Sequence, residues 1–229
     1  MAFSRLPVTF SLIAACVLVY LGAASVGASS VGTSLGLPVE ALTLGALVPA
    51  FVAEGEAWRL LTSTFLHSGL THLLLNMLSL YFLGSFAEAS FGRGRFFGLY
   101  LLSGIAGGIA YLYFGWDSPM QPAVGASGAI FGLLGGVFGY AIRRGTFSTR
   151  DPIIGQLLLL TGINLFLGFS IPGVSNTAHL GGLVGGLVYG FFLAPTVYSR
   201  KWLTALAPAA ITLVIEAILL GVWYLIFAR

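Results

Sequence analysis

Residues 125–139, GASGAIFGLLGGVFG, decide the fold, because they place glycine along one face of an apolar stretch. A second stretch, AHLGGLVGGLVYG at 178–190, repeats the four-residue spacing of small residues: Gly128, Gly132 and Gly136 in the first; Ala178, Gly182, Gly186 and Gly190 in the second. Small residues at this spacing let two membrane helices approach backbone to backbone. We therefore expect two packed membrane helices, although such glycine faces often serve stability alone and indicate no chemistry.

The composition of the whole chain is typical of a membrane protein. Of 229 residues, 58% are hydrophobic and only 7% are charged, whereas about a quarter of a soluble domain is charged. The net charge of +3 is spread over only 10 Lys and Arg and forms no basic patch, which excludes nucleic-acid binding. The single cysteine, Cys16, forms no intramolecular disulfide and is expected to be a small core or lipid-facing residue.

Seven apolar runs are long enough to cross a bilayer as helices. They are 8–28, 70–90, 96–114, 123–142, 153–170, 177–195 and 205–227. The runs are continuously apolar, unlike the alternating strands of a barrel. The predicted fold is therefore an all-α, polytopic transmembrane bundle that forms a single membrane domain over residues 1–229. The first run lacks a convincing signal-peptidase site, and we expect it to be retained.

The basic residues predict the orientation of these spans. With a cytoplasmic N-terminus, most of the cations fall on the inner side, in agreement with the positive-inside rule. The inner cations are Arg5, Arg93, Arg95, Arg143, Arg144, Arg150, Arg200 and Lys201, and the outer ones are Arg59 and Arg229. The long segment 29–69 then lies outside. Because it is partly apolar and yet charged, we expect an ordered hairpin in the outer interface.

A few polar side chains interrupt the spans, where they are costly and therefore candidates for function. Three spans run inward and place His72, Asn76, Ser127 and His179 in one zone beneath the outer surface. An imidazole is the base that activates a serine hydroxyl near neutral pH, and a carboxamide stabilises a developing oxyanion. No carboxylate is placed to complete a triad. The pattern predicts a dyad of Ser127 and His179, with Asn76 as an oxyanion donor.

These residues, in this order and at this depth, resemble the rhomboid intramembrane serine proteases over about residues 8–195. The motifs that carry the resemblance are GASG at 125–128, AHLGG at 178–182, HSGLTHLLLNM at 67–77, and the pair Trp58 and Arg59, which looks like the family's Trp-Arg pair in the first outer loop. The resemblance implies a six-helix core in which Ser127 is the nucleophile and His179 the general base and acid. It also implies an oxyanion hole formed by His72, Asn76 and the Ser127 backbone N–H.

Two features depart from the commonest family pattern. The family often has Tyr four residues after the serine, stacked on the imidazole; Phe131 keeps the ring face and loses the hydroxyl. The run 205–227 resembles the extra C-terminal helix of a 6+1 arrangement. Within it Glu216 is unexplained, and it is either an ion or proton site or a neutral or hydrogen-bonded structural residue facing the bundle.

Other residues near the motifs are expected to have supporting or structural roles. Gly125 and Gly128 are expected to support the serine, and Glu88 matches a family glutamate with a structural role. His67 is expected in a loop or at the interface, while His72 and Asn76 have the alternative of interhelical hydrogen bonding. No HExxH motif occurs, and no metal or other cofactor is expected.

The expected function is hydrolysis of peptide bonds in or near the transmembrane segment of single-span membrane proteins. The protein is expected to be integral to a prokaryotic plasma (inner) membrane, with the active-site opening and the C-terminus external. The loop 170–176 is expected to be a lid, and its motion or that of span 153–170 would admit substrate. Two alternatives stay open: a non-proteolytic rhomboid-like chaperone or adaptor, and a transporter, for which broken helices and inverted repeats would be typical.

Overall fold

The computed structural model describes residues 6–25, 45–171, 173–194 and 202–228. In these ranges the chain is helical apart from its connections and one antiparallel bridge between Leu47 and Ala123, which confirms the predicted all-helical fold. The helices in chain order are α1 (Pro7–Ser25), α2 (Pro49–Ala53), α3 (Arg59–Thr62), α4 (Leu70–Phe91), α5 (Arg93–Phe114), α6 (Ser127–Arg144), α7 (Pro152–Ser170), α8 (Asn176–Leu193) and α9 (Trp202–Phe227).

Five of these helices are long and apolar enough to cross a membrane. They are α1, α4, α5, α7 and the Leu206–Phe227 part of α9. The other two long helices in the described ranges, α6 and α8, are the glycine-rich pair. Each predicted apolar run therefore overlaps one long helix in the described ranges, and the two runs that carry the serine and histidine motifs form the less hydropathic pair.

Helix α6 begins at Ser127, later than the predicted start at residue 123. The preceding residues are held in another conformation. The backbone of Ala123 exchanges two hydrogen bonds with that of Leu47, at 2.8 and 3.0 Å, and Gly125 has a φ of 129°, which is incompatible with a right-handed helix. As a result, Ser127 lies in the first turn of α6, where backbone N–H groups have no partner within the helix.

Helices α6 and α8 pack backbone to backbone, as the glycine spacing predicts. A methyl group on Gly182, Gly186 or Gly190 would overlap the carbonyl oxygen of Gly128, Gly132 or Gly136, respectively. In the other direction, a methyl group on Gly135 or Gly139 would overlap the carbonyl oxygen of Leu183 or Leu187. Because no side chain larger than hydrogen fits at these positions, the interface fixes the register of the two helices along its whole length.

Helix α5 completes this tightly packed core. A Cβ on Gly107 would lie 2.7 Å from the carbonyl oxygen of Ala178 and 3.5 Å from the Cα of Gly128. On α8, Gly181 and Gly185 are packed in turn against the methyl groups of Ala110 and Ala106. Three helices thus meet through small residues at the end of the bundle where α6 and α8 begin.

Helix α4 contains a π-helical turn, Leu80–Gly84. An α-helix rotates by about 100° per residue, so the twelve positions from Asn76 to Glu88 would place these residues about 120° apart. The π turn takes up one extra residue and brings both onto a buried face. There the Glu88 carboxylate accepts hydrogen bonds from the N–H groups of Val8 and Thr9, at 3.1 and 2.7 Å, and from the Thr9 hydroxyl. Glu88 therefore connects α4 to the start of α1, which is a structural role.

Helix α9 packs against α5 and α8. Tyr113 donates to the carbonyl oxygen of Leu219 at 2.7 Å, and Tyr224 donates to that of Val52 at 2.6 Å. On the same helix Glu216 is only 5% exposed, and its carboxyl oxygens have no hydrogen-bond partner in the described ranges. This residue faces the bundle, as one of the two expectations for it requires.

Several predictions concern residues outside the described ranges. These are residues 26–28 at the end of the first predicted span, residues 29–44 of the expected interfacial hairpin, and the cations Arg5, Arg200, Lys201 and Arg229. The described cations of the predicted inner side, Arg93, Arg95, Arg143, Arg144 and Arg150, lie at helix ends or in the connection between α6 and α7. Chain direction places this end of the bundle opposite the end where α6 and α8 begin.

Candidate active site

The hydroxyl of Ser127 lies 2.9 Å from Nε2 of His179. Ser127 opens α6, and His179 lies in the first turn of α8 and is 7% exposed. The contact between Gly128 and Gly182 brings the two helices together one residue beyond the serine and three beyond the histidine. The cap of α8 is ordered by Ser175, whose hydroxyl accepts from the N–H of Ala178 at 3.2 Å. The two predicted residues are thus held in hydrogen-bond contact by the glycine interface.

The imidazole of His179 is oriented by an aromatic ring. Phe131, four residues after Ser127, stacks on it with ring centroids 4.4 Å apart and an interplanar angle of 9°. The second ring nitrogen of His179, Nδ1, has no hydrogen-bond partner in the described part of the chain. The stacked Phe131 ring is therefore the contact that orients the His179 imidazole from the side, apart from its bond to Ser127.

His72 borders the same space as the serine hydroxyl. A Cβ on Gly125 would lie 2.8 Å from Nε2 of His72 and 3.8 Å from Oγ of Ser127. Gly125 is fixed beside them because its N–H donates to the carbonyl oxygen of Ser63 at 2.9 Å. The absence of a side chain at Gly125, at a φ of 129°, therefore leaves a small space between the imidazole and the hydroxyl.

Asn76 is buried below His72 on α4. Its amide nitrogen donates to the carbonyl oxygen of His72 at 2.9 Å. An amide NH₂ group has two hydrogens, so this bond orients the side chain and leaves one N–H for another acceptor. The geometry is compatible with the predicted oxyanion role and with the alternative of hydrogen bonding within the protein.

His67 lies in the predicted connection but is more buried than an interface residue, at 6% exposure. Its ring contacts that of His72 edge to face, with centroids 5.2 Å apart. Burial, and to a smaller extent the nearby His72, lower the pKa of His67 to about 4, which keeps it uncharged at neutral pH. This contact was not predicted from the sequence, because it depends on the conformation of the residues before α4, where His67 lies.

Trp58 and Arg59, the predicted supporting pair, differ from each other in exposure. Trp58 is 49% exposed, whereas Arg59 is 4% exposed. The Arg59 guanidinium donates to the carbonyl oxygen of Ala46 at 2.9 Å, forms an ion pair with Glu56, and lies over the rings of Phe51 and Trp58. Arg59 thus holds together the segment that leads to Ser63 and, through it, to Gly125.

The expected lid is only partly within the described ranges, because Pro172 lies outside them. At its far end Asn176 donates to the carbonyl oxygen of Leu165 on α7 at 3.1 Å. Only four of the nineteen residues of α7 are buried: Ile154, Leu157, Thr161 and Gly168. The element beside the dyad is therefore much less embedded in the protein than the helices that carry it.

The chain is therefore a polytopic helical membrane protein in which a serine and a histidine are in contact at one end of the bundle. The Rhomboid domain family model matches residues 54–196, which is more than half of the chain. The chain is a member of the rhomboid family and an integral membrane protein.

Similar curated proteins carry the same family name. The chain is 41% identical to the rhomboid protease GluP of Bacillus subtilis over 145 residues, which are 63% of this chain and 28% of that protein. It is 44% identical to RHOMBOID-like protein 4 of Arabidopsis thaliana over 153 residues, 66% of this chain and 38% of that protein. It is 41% identical to RHOMBOID-like protein 5 of the same plant over 152 residues, 66% of this chain and 48% of that protein. The chain thus matches less than half the length of each of these relatives.

Proposed function

We propose that the protein is an intramembrane serine protease that cleaves single-span membrane proteins in or near their transmembrane segment. The 2.9 Å contact between Ser127 Oγ and His179 Nε2 is the observation that carries the proposal. Family membership and the resemblance to a protein named a rhomboid protease support it. No cofactor takes part in the proposed reaction.

In the proposed reaction, His179 Nε2 takes the proton of Ser127 as Oγ attacks the substrate carbonyl carbon. The carbonyl π electrons move to oxygen and form an oxyanion. Protonated His179 then gives its proton to the leaving amine as the C–N bond breaks, which leaves an acyl-enzyme. A water molecule, deprotonated by His179, attacks the ester, and collapse of the second tetrahedral intermediate returns the proton to Ser127.

The oxyanion is proposed to lie in the space next to Gly125. His72, the free N–H of Asn76 and the Ser127 backbone N–H would donate to it, and removal of one such donor typically costs about 10²- to 10³-fold in kcat. The first-turn position of Ser127 supports the backbone contribution, since this N–H has no partner within the helix.

The orientation in the membrane is part of the proposal. We infer a cytoplasmic N-terminus and an external active-site opening in a prokaryotic plasma membrane. The placement of Arg93, Arg143, Arg144 and Arg150 at the end of the bundle opposite Ser127 supports this orientation through the positive-inside rule. The external C-terminus follows if α9 is the extra helix of a 6+1 arrangement in a single domain.

Substrate access is proposed to involve the lid 170–176 and α7. A helical segment must unwind before its peptide bond can be attacked, so substrates with small or helix-weakening residues near the cut are favoured. The few buried residues of α7 support movement of this helix more readily than of α6 or α8.

Cleavage and active-site labelling of the purified chain test the proposal. In detergent or proteoliposomes, we expect cleavage of a model single-span substrate and covalent labelling by a fluorophosphonate. Ser127→Ala should lose both, and Ser118→Ala, in the exposed loop between α5 and α6, should lose neither. Cleavage by Ser127→Ala would overturn the mechanism. Binding of membrane proteins without cleavage or labelling would instead favour the chaperone or adaptor function.

A further inference from the structure

Ser68 makes a contact with His72 that the proposed mechanism does not use. The hydroxyl oxygen of Ser68 lies 2.9 Å from Nδ1 of His72, and the backbone nitrogen of Ser68 lies 3.4 Å from the same atom. Ser68 precedes α4, and His72 is in its first turn. One residue therefore directs two groups at a single ring nitrogen, on the side of the ring away from Nε2.

The backbone N–H decides which partner is the acceptor. An N–H group can only donate, whereas a hydroxyl can donate or accept. If Nδ1 carried a proton, that proton would face the hydrogen of the Ser68 backbone. The arrangement is favourable only when Nδ1 has its lone pair free and accepts from Ser68. A neutral imidazole has one protonated nitrogen, so the proton of neutral His72 is then on Nε2.

The opposite nitrogen, Nε2, is directed toward the dyad. It and the hydroxyl of Ser127 lie 2.8 and 3.8 Å from the point where a Cβ on Gly125 would be. An N–H on this side can donate to an oxyanion in that space, whereas a lone pair would repel it. The tautomer of His72 therefore decides whether the ring stabilises or opposes the negative charge.

We propose that Ser68 is a positioning residue that fixes the tautomer of His72, so that Nε2–H points into the oxyanion space. The inference rests on the proposed function and adds a residue to it. The hydroxyl contributes the larger part, because 2.9 Å is an ordinary hydrogen-bond distance and 3.4 Å exceeds the usual range for an N–H donor. Ser68 itself does not touch the reacting atoms.

Nitrogen NMR of the imidazole rings tests the tautomer directly. The chain has three histidines, so ¹⁵N-histidine labelling gives few signals, and those of His72 are assigned by their loss in His72→Phe. We expect protonated Nε2 and unprotonated Nδ1 in the wild type. Ser68→Ala should shift both signals toward a mixture of tautomers, and Ser68→Thr should restore them. A proton on Nδ1 in the wild type, or an unchanged spectrum in Ser68→Ala, would overturn the proposal.

Kinetics test the consequence for catalysis. We expect Ser68→Ala to lower kcat about tenfold, less than the loss of a whole oxyanion donor, with KM unchanged. Ser68→Thr should restore kcat, and Thr71→Ala, which removes an exposed hydroxyl from the same turn, should leave it unaltered. In a His72→Gln background Ser68→Ala should have no further effect. An equal fall in that background would show that Ser68 acts independently of His72 and would reject the proposal.

These readouts separate the failure of this inference from the failure of the proposed function. Ser68→Ala should keep Ser127 labelling by the fluorophosphonate while kcat falls. If Ser127→Ala still cleaved substrate, the proposed function would fail, and the NMR spectra would still decide whether Ser68 sets the proton of His72. If Ser127→Ala were inactive and Ser68→Ala had wild-type kcat, only the role of Ser68 would be rejected.

Discussion

The interface between α6 and α8 and the helix α7 are held in opposite ways. At the interface, glycines bring backbone against backbone, and a single methyl group would overlap a carbonyl oxygen. Helix α7 buries only four residues, and large side chains such as Phe166 and Phe169 are 70% and 80% exposed. Reactive groups require precise placement on rigid elements, whereas an entry route requires an element that moves at low cost. If the proposed protease function holds, this difference would place the reactive groups on α6 and α8 and the entry route beside α7.

The largest effect is expected when the tight interface is broken. Gly186→Ala places a methyl group on the carbonyl oxygen of Gly132, and because neither backbone can yield locally, α6 and α8 must separate. Overpacking of a core costs about 1–3 kcal/mol and occasionally more, and we expect a value at or above the top of that range. Thermal unfolding in detergent, together with fluorophosphonate labelling, measures the loss.

The matched control is Gly162→Ala on α7, where a Cβ would meet nothing within 4 Å. An exposed helical Gly→Ala change removes a penalty of roughly 1 kcal/mol, so this variant should be as stable as the wild type or more stable. Equal destabilisation by the two variants would contradict the comparison between the regions.

Gly125→Ala is expected to lower activity strongly with a smaller loss of stability than Gly186→Ala. The new methyl group would lie 2.8 Å from the His72 ring and would fill the proposed oxyanion space, at a φ of 129° that L-residues rarely adopt. We expect kcat to fall about 10²-fold or more, by analogy with the loss of an oxyanion donor.

Gly145→Ala provides the control for backbone strain at Gly125. Gly145 has a φ of 68°, and a Cβ there would meet nothing within 4 Å. It should cost about 1–2 kcal/mol of stability and leave kcat unchanged. If both variants lost activity in proportion to stability, the space beside His72 would have no special role.

Phe131→Leu is expected to have an intermediate effect, because it removes the ring that stacks on His179. Aromatic pairing contributes about 0.5–1.5 kcal/mol beyond burial, which corresponds to a fall in kcat of up to about tenfold. Phe131→Tyr keeps the ring face and should retain activity. Phe138→Leu, at a buried position on the same helix, should lower stability without slowing labelling of Ser127; slower labelling there would indicate a general packing effect.

The sequence predicted those contacts that require particular residue types at particular spacings. Glycine spacing predicted the contact of α6 with α8, and the serine and histidine motifs predicted two side chains that lie 2.9 Å apart. The start of α6 was predicted too early because hydropathy does not distinguish the extended residues before Ser127 from a helix. The contacts of His67 and Ser68 with His72 were not predicted, because they depend on the conformation of a loop. The close packing of a third helix, α5, was not predicted either, because it depends on a contact between Gly107 and Ala178, which are far apart in the sequence.

The smallest effect is expected at the connection between the two regions. Asn176→Ala removes the hydrogen bond from α8 to the carbonyl oxygen of Leu165 on α7, a bond of about 0.5–1.5 kcal/mol. Because α7 has few other buried contacts, we expect faster hydrogen exchange at its C-terminal end and cleavage that is unchanged or up to a few-fold faster. Asn164→Ala is the control, since that amide bonds Leu160 within α7 itself and its loss should alter neither readout. Unchanged hydrogen exchange in Asn176→Ala would mean that other contacts hold the C-terminal end of α7. The loop 170–176 and α7 would then have to be tested separately as the element that admits substrate.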